Sequence, residues 1–219
     1  MLEFLACSEN QLKNLDVSKN TALEYLHCSE NQLTSLNTSV NLLLKKFTCG
    51  KNQITELNVS GLTKLEKLDC GNNQLITTLD ASRCISLKEI ELFGSFKLKN
   101  LNMNGCVSLK SLSYYGGGSL NVRGCTALER LYNTGGLTTL DVSENIALTS
   151  LNLSNSKLLT LDLSKNIELT ELRFWSGQLT SLNISNLTKL EKLDCGINQL
   201  TTLDISNNLL LKELKCRGI

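Results

Sequence analysis

Residues 65–75 read LEKLDCGNNQL, and residues 190–200 read LEKLDCGINQL. Less exact copies of the same sequence pattern fill the chain between these two segments and on both sides of them. A fixed sequence period predicts the architecture more directly than local secondary-structure propensities do, because each repeat is one structural unit that stacks on its neighbours. The chain is therefore predicted to be a repeat protein.

The repeating unit reads LxxLxCxxNxL followed by xxLDVSxNxx, and it recurs every 21 residues apart from spacings of 22, 22, 19 and 20 in the middle. Each unit is one coil, numbered 1 to 11 by its first leucine: Leu2, Leu23, Leu44, Leu65, Leu87, Leu109, Leu128, Leu148, Leu169, Leu190 and Leu211. Three positions on, a second column is equally apolar: Leu5, Leu26, Phe47, Leu68, Ile90, Leu112, Leu131, Leu151, Leu172, Leu193 and Leu214.

The front half of each coil alternates inward and outward residues in the manner of a β-strand. In coil 2, Leu26 and Cys28 fall on one face, whereas Tyr25 and His27 fall on the other. One coil cannot bury its apolar side alone, but stacked coils can, with strands pairing in parallel at roughly 4.8 Å. An asparagine column ends these strands: Asn10, Asn31, Asn52, Asn73 and Asn198. Its side-chain amides can bond backbone groups that the turn leaves unpaired.

The second half of the coil resembles the first, as in Leu161–Ser164. A coil of 21 residues with two such segments leaves no room for an ordinary α-helix. We therefore expect a second narrow strand, or a 3₁₀ turn, on the back of the stack.

This sequence pattern resembles the leucine-rich repeat, whose signature is LxxLxLxxNxL, and the match covers essentially the whole chain. The variant with Cys in the third apolar column and LDVSxN in the second half is similar to the short repeats of bacterial internalin J. The resemblance implies a mainly β solenoid of about ten turns with little or no α-helix. It also implies a bacterial cell-surface or secreted setting.

Bulk properties restrict the possible partners. With 22 basic and 21 acidic residues, the formal charge of +1 favours neither nucleic acid nor an anionic membrane surface. No run approaches the roughly 18 apolar residues of a transmembrane helix, and the start has no signal-peptide pattern. The unbroken repeat predicts one domain over residues 1–219. Solenoids need terminal caps, and neither terminal segment has the sequence pattern of a cap. We therefore expect a fragment of a longer protein.

Nine cysteines fall into two columns. Cys7, Cys28, Cys49, Cys70, Cys195 and Cys216 follow the second apolar column, whereas Cys84, Cys106 and Cys125 stand three residues before a first leucine. Asn20, Asn41, Asn145, Asn166 and Asn208 otherwise occupy that second place. A disulfide framework or metal site competes with a ladder of buried thiols. The ladder is favoured, because zinc needs closely spaced pairs, stacked side chains suit disulfides badly, and free Cys packs like a small hydrophobe.

The coils between about residues 87 and 190 are irregular. Extra residues occur near Ile76 and Phe96, and residues are missing at Gly116–Gly118 and Gly135–Gly136. One interpretation is drift, with glycine permitting the shortened turns. The other is a regular scaffold that carries a specialised central face. The sequence leaves these two interpretations evenly balanced.

Aromatic residues gather on the outward positions of the front strands. Six of the ten aromatics fall there: Phe4, Tyr25, Phe93, Tyr115, Tyr132 and Trp175. Aromatic and Arg side chains dominate binding hot spots, so we predict a partner-binding patch. Its members are Glu91, Phe93, Tyr115, Arg130, Tyr132, Glu171, Arg173 and Trp175. The alternative is that aromatics on adjacent coils only shield one another.

The sequence offers no catalytic constellation, cofactor motif or metal site. His27 and Cys28 are neighbours, but successive strand residues point to opposite faces. The outward Asp/Asn column of the second half, such as Asp16 and Asn37, is better explained by local hydrogen bonding than by calcium.

We therefore predict a non-enzymatic recognition module that binds a protein, with a glycan as the other ligand class. We expect a monomer without nucleic-acid binding, membrane insertion or cofactor. Two alternatives are a spacer that displays a missing domain and an intracellular regulatory repeat. Many unrelated partners use this scaffold, so the fold alone cannot name one.

Overall fold

Sixteen β-strands of three or four residues form the regular structure, and the chain contains no helix. The computed structural model describes all 219 residues, Met1 to Ile219. The strands are β1 (Phe4–Ala6), β2 (Tyr25–His27), β3 (Lys46–Thr48), β4 (Glu56–Asn58), β5 (Lys67–Asp69), β6 (Thr78–Asp80), β7 (Glu89–Glu91), β8 (Asn100–Asn102), β9 (Ser111–Tyr114), β10 (Gly118–Asn121), β11 (Arg130–Asn133), β12 (Leu137–Thr139), β13 (Ser150–Asn152), β14 (Glu171–Arg173), β15 (Lys192–Asp194) and β16 (Glu213–Lys215). The predicted helix-poor β solenoid is confirmed.

The front strands form two parallel sheets, in the orders β1-β2-β3-β5-β7 and β9-β11-β13-β14-β15-β16. Their register is the repeat itself, so that Leu26 pairs with Phe47 and Phe47 with Leu68. Each strand is short because the backbone soon turns left-handed, as at Lys51 (φ 53°) and Asn72 (φ 56°). The second apolar column therefore lies inside, with Leu5 and Ile90 half-buried and Leu214 exposed in the last coil, and its two neighbours in each coil point outward.

A narrow back sheet pairs the second segments of coils 3 to 7 in the order β12-β10-β8-β6-β4. The predicted back strand is thus confirmed for these coils, whereas the other coils have neither a strand nor a 3₁₀ turn there. Backbone bonds such as Val59 N–H to Asp80 O (2.8 Å) and Ala81 N–H to Asn102 O (2.9 Å) hold the sheet together.

The second cysteine column, in coils 4 to 6, lies within the back sheet. The Asn41 amide donates to the carbonyls of Val17 (3.1 Å) and Asn20 (2.8 Å), and so bridges two coils through a side chain. The shorter Cys84 thiol reaches only the corresponding first carbonyl, that of Val59 (3.2 Å). Cys106 and Cys125 repeat this contact in the next two coils. Where cysteine replaces asparagine, the backbone itself completes the connection between coils.

All nine cysteines are free thiols, and seven of them are buried; Cys7 and Cys216 are half-buried. The thiol ladder is therefore confirmed over the disulfide framework. Burial raises the pKa of Cys28 and Cys84 to about 12 and that of Cys49 well above its ordinary value. These thiols remain neutral parts of a continuous apolar core.

The front asparagine column ties each coil to the one before it. The Asn52 amide donates to the carbonyls of Cys28 (3.0 Å) and Cys49 (3.0 Å), and its Oδ1 accepts the N–H of Leu33 (2.9 Å). Asn31 and Asn73 make the same set of bonds in their own coils. The predicted role of this column is thus found in the structure.

The Asn52→Ala variant should lose about 3 kcal/mol of unfolding free energy, because several buried backbone groups would lose their partner at once. Urea unfolding followed by circular dichroism measures this loss. Asn207 is exposed and makes no side-chain hydrogen bond, so Asn207→Ala should change stability by less than about 0.5 kcal/mol. Equal effects of the two substitutions would contradict the assigned role of Asn52.

The buried thiols should make stability fall at alkaline pH. An unfolded Cys ionises near pH 8.5, whereas folded Cys84 stays protonated to a pKa of about 12. Its contribution is complete below about pH 8.5 and is lost as pH rises towards about 12, at up to about 1.4 kcal/mol per pH unit. Urea unfolding between these pH values should therefore show a shallower decline in Cys84→Ala than in the parent chain. Parallel declines would refute the linkage.

Candidate functional site

The outward side chains of the front strands form the front surface, and all eight predicted patch residues lie on it. Phe93, Tyr132 and Trp175 have exposed fractions of 65%, 36% and 46%. Their inward neighbours Leu92, Asn133 and Phe174 are buried, as strand alternation requires. Among the other patch residues, Glu91, Arg130 and Arg173 are exposed, and Tyr115 and Glu171 are half-buried. The binding role of this patch remains a prediction.

Four rings from coils 5 to 7 form an aromatic cluster on the front surface: Phe93, Phe96, Tyr115 and Tyr132. Tyr115 lies at its centre, with ring centroids 6.0 Å from Phe93, 5.9 Å from Phe96 and 6.2 Å from Tyr132. The rings meet at 60° to 86°, in tilted or edge-to-face geometry. Such pairs add about 0.5–1.5 kcal/mol beyond their buried area. The rings thus shield one another and also present a preformed apolar surface to solvent.

Phe96 belongs to this cluster but was not among the predicted residues. It lies beyond the front columns, in the turn that follows β7, and its side chain has an exposed fraction of 65%. Coil 5 has 22 residues instead of 21. This longer coil and an aromatic residue beside the insertion were the only signals in the sequence, and neither specifies where the side chain points.

Trp175 does not join the aromatic cluster. It belongs to coil 9, two coils beyond Tyr132, and it borders a shallow depression of about 590 Å³ with Asp194, Ile197 and Arg217. Ile197 has a φ of 54°, which is a strained conformation for a β-branched residue. The predicted single patch is therefore two separate areas of the front surface.

Charged members of the patch are paired with neighbours on the same surface. Glu91 contacts Lys67 (3.0 Å), and Arg173 contacts Glu171 (2.7 Å). Arg130 lies 3.3 Å from the carboxylate of Glu129. Exposed pairs of this kind stabilise a protein by at most about 1 kcal/mol. A ligand can therefore exchange them for its own contacts at low cost.

The hydrogen-bonded ladder of front strands is interrupted beneath the aromatic cluster, because β7 and β9 belong to different sheets. In coil 4, the amides of Cys70 and Asn72 donate to carbonyls of coil 5. Their counterparts in coil 5, Leu92 and Gly94, have no such backbone acceptor in coil 6. Bulky Leu92 and Tyr114 occupy the thiol column at this break. The Phe93–Tyr115 ring contact spans it.

No catalytic arrangement accompanies these surfaces. The His27 ring contacts the Thr48 hydroxyl (3.0 Å) on the outside of β2, whereas Cys28 is fully buried behind it. The chain has no group of three or more His, Cys, Asp or Glu side chains placed to hold a metal ion. No helix with the length and apolarity to cross a membrane is present.

Comparison with known proteins places this geometry in a family context. A family model described as leucine-rich repeats (two copies) matches residues 43–84. No curated protein matches the chain. Among solved structures, the functional domain of InlJ from Listeria monocytogenes, described as including a cysteine ladder, is 32% identical, with a TM-score of 0.61. The match covers 99% of this chain and 54% of that one, so this chain spans about half the length of the InlJ structure.

Two further solved structures support the fold alone. An internalin (InlF) from Listeria monocytogenes is 20% identical, with 99% of this chain and 74% of that chain covered and a TM-score of 0.58. The TLR13–ssRNA13 complex is 21% identical, with 97% and 40% covered and a TM-score of 0.59. The matched structures share the repeat architecture, and no catalytic family matches the chain.

Proposed function

This chain is a leucine-rich repeat protein whose cysteine-containing repeats are similar to those of InlJ, and from that premise we propose that it is a non-enzymatic recognition module for a protein partner. The partner docks on the front surface. The observation that carries this proposal is the exposed aromatic cluster of Phe93, Phe96, Tyr115 and Tyr132 in the irregular centre of the front surface.

The energetics of association support this assignment. Rigid aromatic side chains bury a large area on binding and lose little conformational freedom, so they dominate measured hot spots. The parallel pairing of β9 and β11 positions the backbone beneath Tyr115 and Tyr132, whose rings contact each other. The nearby charges of Glu91 and Arg130 supply the polar rim that such hot spots need.

Trp175 forms a second anchor on the same surface. It stands between the ion-paired Arg173 and the depression bordered by Asp194 and Arg217. An isolated exposed Trp with charged neighbours is the composition of a hot-spot residue and its rim. A partner that spans coils 5 to 10 would contact both anchors.

We further propose a bacterial surface or secreted setting, on the similarity to InlJ. The buried thiols are compatible with an oxidising compartment, because their burial limits both ionisation and access.

The test is to compare binding partners of the parent chain with those of Phe93→Ala/Tyr132→Ala and of Trp175→Ala. Partners captured by cross-linking are purified, and their affinities are measured by biolayer interferometry. Each anchor contributes about 2 kcal/mol at a typical hot spot, so each variant should bind about 30-fold more weakly.

The matched control is Ile167→Ala, which removes an exposed apolar side chain (50% exposed) on a turn away from the front surface. It should leave the affinity unchanged, and thermal melts should show that all variants are folded. If every partner binds the anchor variants as tightly as the parent chain, the recognition role is wrong and a spacer scaffold becomes the better account.

A further inference from the structure

The two shortest coils create a groove on the flank where the front strands turn towards the back sheet. Coils 6 and 7 span 19 and 20 residues, between coils of 22 and 21. The shortening falls at Gly117–Gly118 and Gly135–Gly136. These glycines line a groove of about 640 Å³. This volume is within the range of known ligand sites. The irregular lengths therefore have a definite structural consequence.

Glycine is required in the floor of this groove. A Cβ atom on Gly117 would lie 2.1 Å from the carbonyl oxygen of Gly135, and one on Gly135 would lie 2.0 Å from that of Gly116. Both contacts are far shorter than van der Waals separation, and they involve backbone that cannot move aside. The floor thus consists of bare backbone, and the amides of Gly117 and Gly136 donate no hydrogen bond within the protein.

The walls of the groove are basic. Lys97 and Lys99 approach from coil 5 and Lys157 from coil 8, and no Asp or Glu lines the groove. None of these three lysines forms an ion pair. Lysines elsewhere, such as Lys45 and Lys67, do form ion pairs. We refer to these lysines and the glycine floor as the lysine groove.

The sequence carries a signal for this charge imbalance. Between Glu91 and Glu129 there is no acidic residue, although Lys97, Lys99 and two further basic residues lie in that interval. A net charge of +1 over the whole chain conceals this local excess. Unpaired lysines around free backbone N–H groups attract an oxyanion, since both supply donors and neither supplies an acceptor.

We propose that the lysine groove binds a segment of an acidic polysaccharide. Its carboxylate or sulfate groups contact Lys97, Lys99 and Lys157, and a sugar ring lies against Phe96 at the rim. The electron-rich face of an exposed phenyl ring attracts the polarised C–H groups of a sugar. This site adjoins the front surface, with Phe96 shared between the groove rim and the aromatic cluster, and it adds a second class of ligand.

The polar groups of the groove favour a hydroxylated chain over other polyanions. Asn100 Oδ1 accepts a bond from Ser119 (2.9 Å), which leaves its NH₂ group free, and Thr138 donates to the Gly118 carbonyl (3.2 Å) and can still accept. Single-stranded nucleic acid needs a run of stacking platforms, whereas the adjoining rings meet at 60° and 71°. Apart from Phe96 and the buried Leu98, the lining offers no apolar side chain to a peptide.

The test is calorimetric titration of the 219-residue chain with a heparin octasaccharide at low salt, about 50 mM. The variant Lys97→Glu/Lys99→Glu/Lys157→Glu should bind about 100-fold more weakly, because three charge-assisted contacts become repulsive. The control Lys13→Glu/Lys64→Glu/Lys165→Glu makes the same change in net charge at exposed lysines without ion pairs. It should lose no more than about threefold.

Two more single variants test the ring contact at Phe96 and the distinction between the groove and the rest of the front surface. Phe96→Ala should weaken heparin binding about fivefold through loss of the ring contact. Tyr132→Ala, which tests the protein-binding proposal, should leave heparin binding unchanged because Tyr132 does not line the groove. Failure of one proposal therefore leaves the other measurable.

The proposal is overturned if the groove variant and its control lose affinity equally, since binding would then be a general charge effect. It is also overturned if oligo(dT) or polyglutamate binds more tightly than heparin and depends on the same three lysines. Those results would assign the groove to nucleic acid or to an acidic protein segment, respectively. Uncharged dextran should not bind, and binding of dextran that survives the lysine substitutions would equally refute the proposed role of charge.

Discussion

The structure depends on one constraint: each coil leaves buried backbone groups that only its neighbour can satisfy. The Asn52 side chain meets this constraint by accepting from Leu33 in the preceding coil and donating to carbonyls of both coils. Because a buried unpaired backbone group is costly, the coils must be stacked in one register. The period of 21 residues in the regular coils keeps the asparagines in that register. Apolar burial then follows, since the same register aligns the leucine and cysteine columns.

The candidate surfaces lie where this constraint is relaxed. In coils 5 and 8 the asparagine position is taken by Ser95 and Ser156, whose buried hydroxyls have no partner. In coil 7, Asn133 moves into the thiol column and there bonds the carbonyl of Gly116 (2.7 Å) and the amide of Gly135 (3.0 Å). With the regular ladder absent, coil lengths change between 19 and 22 residues. These changes in length place Phe96 among the rings and open the groove beside it.

The period made much of the molecule predictable. Parallel front strands, outward Tyr132 and Trp175, and buried free thiols all follow from positions that repeat, so reading one coil describes the others. What could not be predicted depends on offsets between unequal coils. The position of Phe96, the break between β7 and β9, and the opening above Gly117 arise only when coils of different length are stacked in three dimensions.

The back sheet shows the same limit of prediction. A second narrow strand or a 3₁₀ turn was expected on the back of the stack, yet a strand forms only in coils 3 to 7 and the other coils have neither. In coils 4 to 6 a thiol such as Cys84 reaches one carbonyl of the preceding coil and the backbone pairs beside it, but β12 also forms in coil 7, where the Asn145 amide bridges the coils. The repeated positions therefore do not specify which coils form a back strand. The mutual shielding considered for the aromatics is present around Tyr115, whereas Phe93 remains exposed, and the binding role stays a prediction.

The break between β7 and β9 has a mechanical consequence. A stack of coils joined by continuous hydrogen-bond ladders resists bending, because bending must stretch many hydrogen bonds together. At this one section the front ladder is absent and the back sheet alone is continuous. Compliance is therefore concentrated there, with the back sheet as the pivot. Bending at this section would change the angle between Phe93 on one segment and Tyr115 on the other, and with it the shape of the aromatic surface.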